Sequence, residues 1–176
     1  MTEVEKTVNA VLDLRKHKCF NEAEALLRTA INTHPTSWEL WNQLGHVLVA
    51  NENYPEAASS FEKATELNPN GFWLWLSLGY ARKEITQLDG AIDATLKATE
   101  LSSSPNELGS ALYNLGCYNC IAGRHVEALE YLEQAFHKDE SIKEWARDDS
   151  DLQSLKENER FLNLLSQEKK KEIGRA

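Results

Sequence analysis

Two cysteines have the spacing that best fits chemistry in this 176-residue chain. Cys117 and Cys120 would lie one turn apart on a helix, where a pair of thiols can bind a soft metal ion or cycle through a disulfide. A zinc site needs four ligands, however. Cys19 is far from the pair in the sequence, and His125 alone would leave the ligand set incomplete. A redox pair is expected at the start of a helix beside a strand, whereas this pair falls well inside a predicted helix. We therefore interpret the two side chains as packing or groove-lining residues, with a redox or metal accessory role as the alternative.

The other residues with potentially catalytic side chains do not form a recognisable site. Five histidines are scattered along the chain without an aspartate or serine at triad-like offsets: His17, His34, His46, His125 and His137. The acidic run Asp148–Asp151 lacks the glycine and the distal glutamate of a calcium-binding loop. The sequence also contains no glycine-rich phosphate loop. These patterns predict a protein that is not an enzyme and that has no cofactor and no metal site.

The charge balance and the apolar content exclude several classes of protein. Nineteen basic residues against 28 acidic residues give a net charge of −9, which repels phosphate backbones and predicts no nucleic-acid partner. No window approaches the roughly 18 apolar residues that cross a bilayer. The acidic N-terminus is not followed by the apolar core of a signal peptide, and an odd number of cysteines favours free thiols. We therefore expect a cytoplasmic protein that does not bind membranes.

Internal repetition is the strongest pattern in the sequence. Ala23, Ala57 and Ala91 are each 34 residues apart, and Ala128 follows after a step of 37. The same steps connect three further series: Ala30, Ala64, Ala98 and Ala135; Leu27, Phe61, Thr95 and Leu132; and Gly45, Gly79 and Gly116. Because the series share one irregular step, they indicate a repeated structural unit. The three extra residues predict that the first helix of the fourth unit is longer by almost one turn.

Each unit has the spacing of two helices. The first helix of the second unit carries residues of one face at i, i+3, i+4 and i+7, namely Trp41, Leu44, Gly45 and Leu48. The second helix carries Ala57, Phe61 and Ala64 on one face, after a turn that ends at Pro55. Small side chains at Gly45 and Ala57 would allow the two helix axes to approach closely. The unit is therefore predicted to be a helical hairpin.

Capping residues predict where several helices begin. Thr36 followed by Glu39, and Asn21 followed by Glu24, have the spacing of a capping box. The stretch Ser104–Glu107 combines a cap, a proline in the first turn and an acidic residue at the third position. These signals predict helices that begin just after Asn21, Thr36 and Ser104.

The pattern Trp-x2-Leu-Gly, then Ala-x3-Phe, then Pro resembles the tetratricopeptide repeat of 34 residues. The second and third units carry it at Trp41, Leu44, Gly45, Ala57, Phe61, Ala64 and Pro69, and at Trp75, Leu78, Gly79, Ala91 and Ala98. The fourth unit keeps Leu112, Leu115, Gly116, Ala128, Leu132 and Ala135, and the first keeps Leu14, Ala23, Leu27, Ala30 and Pro35. Leu48, Arg82 and Thr95 stand where the family prefers aromatic residues. The resemblance implies an all-α protein, an α-solenoid of about four antiparallel helical hairpins that binds other proteins.

The predicted domain organisation follows from the repeats. Four repeats fill residues 1–142, at about 4–37, 38–71, 72–105 and 106–142. Residues 143–168 carry an apolar stripe: Leu152, Leu155, Phe161, Leu164 and Leu165. We expect this segment, which resembles the one that closes many bacterial repeat proteins of the family, to form capping helices over the exposed apolar end of the last hairpin. Residues 169–176 are expected to form a charged, disordered tail.

A binding surface is predicted on the first helix of each hairpin, because these helices line the concave side of an α-solenoid. One face of these helices forms what we call the inner column: Asn42, His46, Trp73, Leu76, Tyr80, Lys83, Tyr113 and Cys117, extended by Val8, Leu12, Arg15, Glu39, Val49, Ser110 and Cys120. Tyr and Trp bury much area with few torsions to fix, so they suit a protein or peptide ligand with apolar anchors. The structural alternative is that these side chains pack between first helices, or lie under the C-terminal segment or a second copy.

One binding mode of the family can be compared with the inner column directly. Repeat domains that clamp the acidic C-terminus of heat-shock chaperones present lysine, asparagine and arginine along this column. The corresponding positions here are Val8, Leu12, Asn42, His46, Leu76 and Tyr80, and of these only Asn42 fits. A partner held by its terminal carboxylate is therefore disfavoured. The favoured function is a non-enzymatic adaptor or scaffold that binds a peptide or protein segment. A small secretion chaperone guarding apolar segments, a homo-oligomer, and thiol chemistry at Cys117 and Cys120 are the alternatives.

Overall fold

Helices account for most of the described chain. The computed structural model describes residues 1–166, and within that range the chain forms ten α-helices, one 3-10 helix and no β-strand. The predicted fold class, an all-α protein of the α-solenoid type built from antiparallel helical hairpins, is confirmed. The chain divides into two compact units, Met1–Leu101 and Ser102–Ala176. The tail predicted at 169–176 lies outside the described residues.

The first unit consists of three helical hairpins. Its helices are α1 (Glu3–Lys16), α2 (Phe20–Thr33), α3 (Trp38–Ala50), α4 (Tyr54–Leu67), α5 (Phe72–Glu84) and α6 (Leu88–Leu101). Consecutive helices pack in pairs, and the second helix of a pair also packs against the first helix of the next. Val11, Leu27 and Leu48 have no exposed surface, and burying each such side chain contributes roughly 1.5–3 kcal/mol. None of the helices in residues 1–166 is both long enough and apolar enough to span a membrane.

All four hairpins turn in the same way. The residue after the C-cap of the first helix has a left-handed backbone in every turn: Lys18 (φ 60°), Glu52 (φ 58°), Thr86 (φ 58°) and Gly123 (φ 75°). The next backbone N–H bonds to the carbonyl oxygen five residues earlier, as from Cys19 to Leu14 (2.9 Å), which is the Schellman motif. These left-handed residues are 34, 34 and 37 positions apart, as are the repeated residues of the sequence. The backbone conformation of the turn therefore recurs with the sequence repeat.

Glycine allows the two helices of the second hairpin to approach closely. A Cβ added at Gly45 would lie 2.5 Å from the ring carbon Cε1 of Phe61, which is only 1% exposed. In the fourth hairpin, a Cβ added at Gly116 would lie 2.7 Å from Leu132 Cδ2. The predicted close approach is confirmed, although the side chain that covers Gly45 belongs to Phe61 rather than to Ala57.

Arg82 occupies a position where the repeat family prefers an aromatic residue. Its Nη1 donates to the carbonyl oxygen of Gly90 (3.1 Å), and its Nη2 donates to Glu62 Oε1 (2.7 Å). A Cβ added at Gly90 would lie 3.3 Å from Arg82 Cδ, so the aliphatic stem packs over α6 while the guanidinium reaches α4. One side chain therefore connects three helices of the first unit.

The second unit consists of the fourth hairpin and a C-terminal segment. Its helices are α7 (Pro105–Ile121), α8 (His125–Lys138), α9 (Ile142–Asp148), a 3-10 helix (Ser150–Leu155) and α10 (Glu159–Ser166). The 3-10 helix packs on α7, and α10 packs on α8. α7 has 17 residues against 13 in α3 and in α5, which confirms the predicted extra turn. Its start is also as predicted, since Ser104 Oγ accepts from the N–H of Glu107 (3.2 Å).

The other two predicted helix starts are wrong. The N-caps of α2 and α3 are Cys19 and Ser37, and neither side chain accepts a hydrogen bond from a backbone N–H of its helix. The turn before α2 explains the first difference, because it places the carbonyl oxygen of Cys19 within 3.1 Å of the Ala23 N–H. The helix therefore begins before Asn21, and the backbone of the turn replaces a side-chain cap.

Candidate functional site

Six of the eight residues that head the inner column lie on two helices of the first unit. α3 carries Asn42 and His46, and α5 carries Trp73, Leu76, Tyr80 and Lys83. Trp73 and Tyr80 are exposed, at 60% and 38%, while Leu76 is half-buried. Because these three residues are spaced i, i+3 and i+7, they share one face of α5. The packing of α5 thus leaves an aromatic and apolar stripe partly open to solvent.

The ring of Tyr80 is fixed by its neighbours on α4 and α5. It meets the ring of Tyr54 edge to face, with 6.5 Å between centroids and 73° between planes. Lys83 Nζ lies 5.2 Å from the Tyr80 centroid and 2.7 Å from Glu84 Oε1. Burial, and then the charge of Glu84, raise the pKa of Tyr80 to about 12. The phenol is therefore a protonated, oriented hydrogen-bonding group at neutral pH.

Trp73 is held at its base by the preceding residue. The ring centroids of Phe72 and Trp73 are 4.8 Å apart, with 85° between their planes, and Phe72 is buried. A T-shaped aromatic pair of this kind contributes about 0.5–1.5 kcal/mol beyond its buried area. The indole of Trp73 therefore packs against a buried ring but is largely open to solvent. This arrangement suits an anchor for an apolar ligand.

His46, an inner-column residue of α3, is neutral. Its ring contacts the Phe61 ring edge to face at 5.1 Å. Burial, and then the charge of Arg15, lower the pKa of His46 to about 4. Burial also lowers the pKa of Arg15, whose Nη1 donates to Gln43 Oε1 (2.8 Å). A neutral imidazole can donate and accept hydrogen bonds with a peptide backbone, as can the half-buried amide of Asn42.

A cleft of about 730 Å³ lies at the start of the first unit. It is lined by residues of α1 and of the α2–α3 connection: Met1, Thr2, Glu3, Val4, Glu5, Val8, Asn9, His34, Ser37 and Glu39. His34 Nε2 lies 3.4 Å from Glu3 Oε2, and Ser37 Oγ donates to Glu39 Oε2 (2.7 Å). Three carboxylates on its lining make this cleft acidic, so it favours a cationic ligand group over a carboxylate.

In the second unit, the structure corrects the expectation of an open inner column. Tyr113 is 8% exposed and Cys117 is 1% exposed, and both lie under the chain's own C-terminal segment. The Tyr113 hydroxyl donates to Asp149 Oδ2 at 2.5 Å, and Cys117 Sγ lies 3.8 Å from the same oxygen. The physical reason is the apolar stripe of the C-terminal segment, because Leu152 becomes fully buried against the hairpin. These two residues therefore hold an internal segment and do not line an open groove.

The cysteine pair is placed for packing rather than for thiolate chemistry. Burial, and then the charges of Asp149 and Asp151, raise the pKa of Cys117. Burial is also the first cause of the raised pKa of Cys120, whose Sγ lies 3.1 Å from Ser154 Oγ. A protonated, covered thiol is a poor nucleophile and a poor metal ligand. Residues 1–166 contain no group of three or more His, Cys, Asp and Glu side chains that could hold a metal ion.

Three residues of these surfaces were not identified from the sequence. The ring of Tyr54 contacts that of Tyr80. The sequence signal for Tyr54 was its place next to Pro55, at the start of the second helix of a hairpin. Asp149 and Ser154 bond to inner-column residues 36 and 34 positions earlier in the chain. No pattern within the segment 143–168 indicated which helix it would cover.

Comparison with known proteins agrees with this architecture. The tetratricopeptide repeat family model matches residues 38–70. Among solved structures, MamA MSR-1 aligns at 27% identity with a TM-score of 0.70, over 80% of this chain and 79% of that one. MamA from Desulfovibrio magneticus RS-1 aligns at 22% identity and TM-score 0.71, over 78% and 76% of the chains. PilF of Pseudomonas aeruginosa aligns at 19% identity and TM-score 0.76, over 92% and 71%. No curated protein sequence matches the chain.

These neighbours and the repeat pattern point to one family. MamA and PilF are both tetratricopeptide-repeat proteins, and proteins of this kind are generally non-enzymatic interaction modules. The family match at 38–70 spans the second hairpin, where the Gly45 and Phe61 contact also lies. The second hairpin therefore matches the tetratricopeptide repeat, and the chain shares the fold of tetratricopeptide-repeat proteins.

Proposed function

We propose that the first unit is the binding surface of a non-enzymatic adaptor, which holds a peptide or protein segment against α3 and α5. The observation that carries the proposal is the stripe of Trp73, Leu76 and Tyr80 on one face of α5, where two of the three side chains are exposed. Large aromatic side chains on rigid helices dominate binding energy at interfaces. The fold supports protein partners in general, and this stripe supports a ligand with apolar anchors.

The polar inner-column groups of α3 and α5 suggest how such a segment is oriented. Asn42 and the neutral His46 offer hydrogen bonds to a backbone, and the Tyr80 hydroxyl group offers another. The acidic cleft near Glu3 and Glu39 disfavours a ligand that presents a terminal carboxylate. We therefore propose that the ligand is an extended or helical segment whose apolar residues contact α5. Its terminal carboxylate is not clamped.

Selection from a random peptide library, followed by calorimetry on the purified full chain, tests this proposal. We expect Trp73→Ala or Tyr80→Ala to weaken binding of the selected peptides by at least about tenfold, the usual effect of a hot-spot residue. The matched control is Trp145→Ala, because Trp145 is 63% exposed but lies on α9 of the second unit. Equal affinity of all three variants and the parent would refute the proposed surface.

The same experiment separates an adaptor from a chaperone that guards apolar segments. An adaptor selects peptides that share a sequence pattern, because its anchors fit defined side chains. A guarding chaperone instead retains many unrelated apolar peptides with similar affinity. Either result still requires that Trp73 and Tyr80 carry the binding, so the surface and its specificity are tested separately.

A further inference from the structure

Within the second unit, the C-terminal segment packs on α7 as a ligand would pack on the first helix of a repeat. Tyr113, Cys117 and Cys120 are spaced i, i+4 and i+7, so they share one face of α7. All three meet the segment: Tyr113 and Cys117 face Asp149, and Cys120 faces Ser154. Within this unit, the 3-10 helix therefore occupies the inner column of α7.

The segment has a simple chemical pattern. Asp149 caps its own 3-10 helix, since Oδ1 accepts from the Asp151 N–H (2.8 Å) while Oδ2 accepts from Tyr113. Leu152 and Leu155, three and six residues later, have no exposed surface. An acidic cap and two leucines on one side of a helical turn are the elements by which a helical peptide docks in a groove.

The contact differs from ordinary core packing in two respects. First, α7 meets the segment with a phenol and two thiols, and the Tyr113 hydroxyl group is aimed at the Asp149 carboxylate rather than at an apolar surface. Second, the docked element is a six-residue 3-10 helix, longer than the usual run of 3–4 residues and weaker in its hydrogen-bond geometry. A latch requires that this short element open more readily than the hairpin beneath it.

We propose that Asp149–Leu155 is an intramolecular ligand, and that the inner face of α7 is a latched second binding site. The external ligand is a partner segment of the same chemistry: an aspartate that caps a helical turn, with leucines three and six residues after it. A tethered segment has an effective concentration on the order of millimolar, so it excludes weaker competitors until a better one displaces it. This inference rests on residues of the second unit and does not depend on the function proposed for the first.

Thiol labelling of the full chain tests the latch, because the docked segment contacts both Cys117 and Cys120. A synthetic peptide of residues 146–158 is added as the free ligand. In Leu152→Ala/Leu155→Ala, we expect both thiols to react at least about tenfold faster than in the parent protein, relative to Cys19. Excess peptide should return the labelling rates toward those of the parent, and a peptide with both leucines replaced by serine should not.

Leu162→Ala is the matched control, because Leu162 lies in the same segment but is 50% exposed and should label like the parent. Unchanged labelling in the double variant, or fast labelling that the native peptide does not slow, would overturn the proposal. Circular dichroism reports whether the hairpin remains helical. If the hairpin of the double variant loses helix content, Asp149→Asn, which keeps both leucines, replaces it. The labelling rate of the thiols and its response to the added peptide are then measured in that variant. Loss of helix content in both variants would show that the segment is part of the core, and that result would also overturn the proposal.

Discussion

The indole Nε1 of Trp75 donates a hydrogen bond to the carbonyl oxygen of Pro69, 2.8 Å away, and Trp41 makes the same bond to Pro35, also at 2.8 Å. Each bond joins the first helix of a hairpin to the loop that connects it to the hairpin before it. The two most recognisable residues of the repeat pattern are thus partners in space. Both indoles are half-buried and pack against the core of the first unit, so the repeated tryptophan combines packing with a hydrogen bond.

Trp75→Phe should destabilise the protein by about 1 kcal/mol, because it keeps an aromatic ring but leaves the Pro69 carbonyl without this donor. Urea unfolding followed by circular dichroism measures the change. Trp73→Phe is the control, since Trp73 is 60% exposed and its indole has no hydrogen bond within residues 1–166, and its effect should stay within about 0.5 kcal/mol. Equal effects of the two substitutions would contradict a role for the bond.

Gly45→Ala should destabilise the second hairpin by about 1–3 kcal/mol, because its Cβ would lie 2.5 Å from the Phe61 ring. Gly45→Leu should be worse for the same reason. A double-mutant cycle with Phe61→Leu checks the cause, because a smaller side chain at 61 should make Gly45→Ala less harmful. If the two effects simply add, the contact between Gly45 and Phe61 is not what requires glycine.

Thr86→Gly should stabilise the third hairpin by up to about 1 kcal/mol. Thr86 is β-branched and has φ 58°, a backbone region that is unfavourable for such residues and free of strain for glycine. The greater flexibility of glycine in the unfolded chain offsets part of this gain. Gly123→Ala, at the equivalent turn with φ 75°, should destabilise by a similar amount. Thermal or urea unfolding that shows the same sign for both changes would contradict the explanation.

His46 should make the folded state sensitive to mild acid. Its pKa is lowered from 6.5 to about 4 in the folded protein, so between these values the unfolded chain binds more protons than the folded chain. The contribution of His46 to stability is therefore complete above about pH 7 and is lost as the pH falls toward about 4. We expect a loss of about 2 kcal/mol between about pH 7 and about pH 5 from this group.

Urea unfolding at several pH values, compared between the parent and His46→Gln, isolates this contribution. Glutamine does not titrate, so the stability of the variant should fall less steeply over the same interval. Carboxylates that titrate in both proteins cancel in the comparison. Parallel pH profiles for the two proteins would show that His46 is not protected from protonation.

Local spacing was sufficient to predict most of the hairpins. The periods of 34 and 37 correspond to units of nearly constant length, and α7 is longer where the step is longer. The start of α7 was also predictable, because a serine cap and an acidic third residue act within one turn. The starts of α2 and α3 were not, because the backbone turn before α2 and the preceding loop set them without a side-chain cap.

The sequence by itself determined the repeat, the helical hairpins and the stripe of Trp73, Leu76 and Tyr80, because these depend on residues a few positions apart. Only the tertiary structure decided that Tyr113 and Cys117 are covered, since Asp149 lies 36 and 32 residues further along the chain, outside any repeated unit. The segment that carries Asp149 has no counterpart in the other repeats. Its apolar stripe required burial, but the surface that buries it depended on which helix was within reach after the chain had folded.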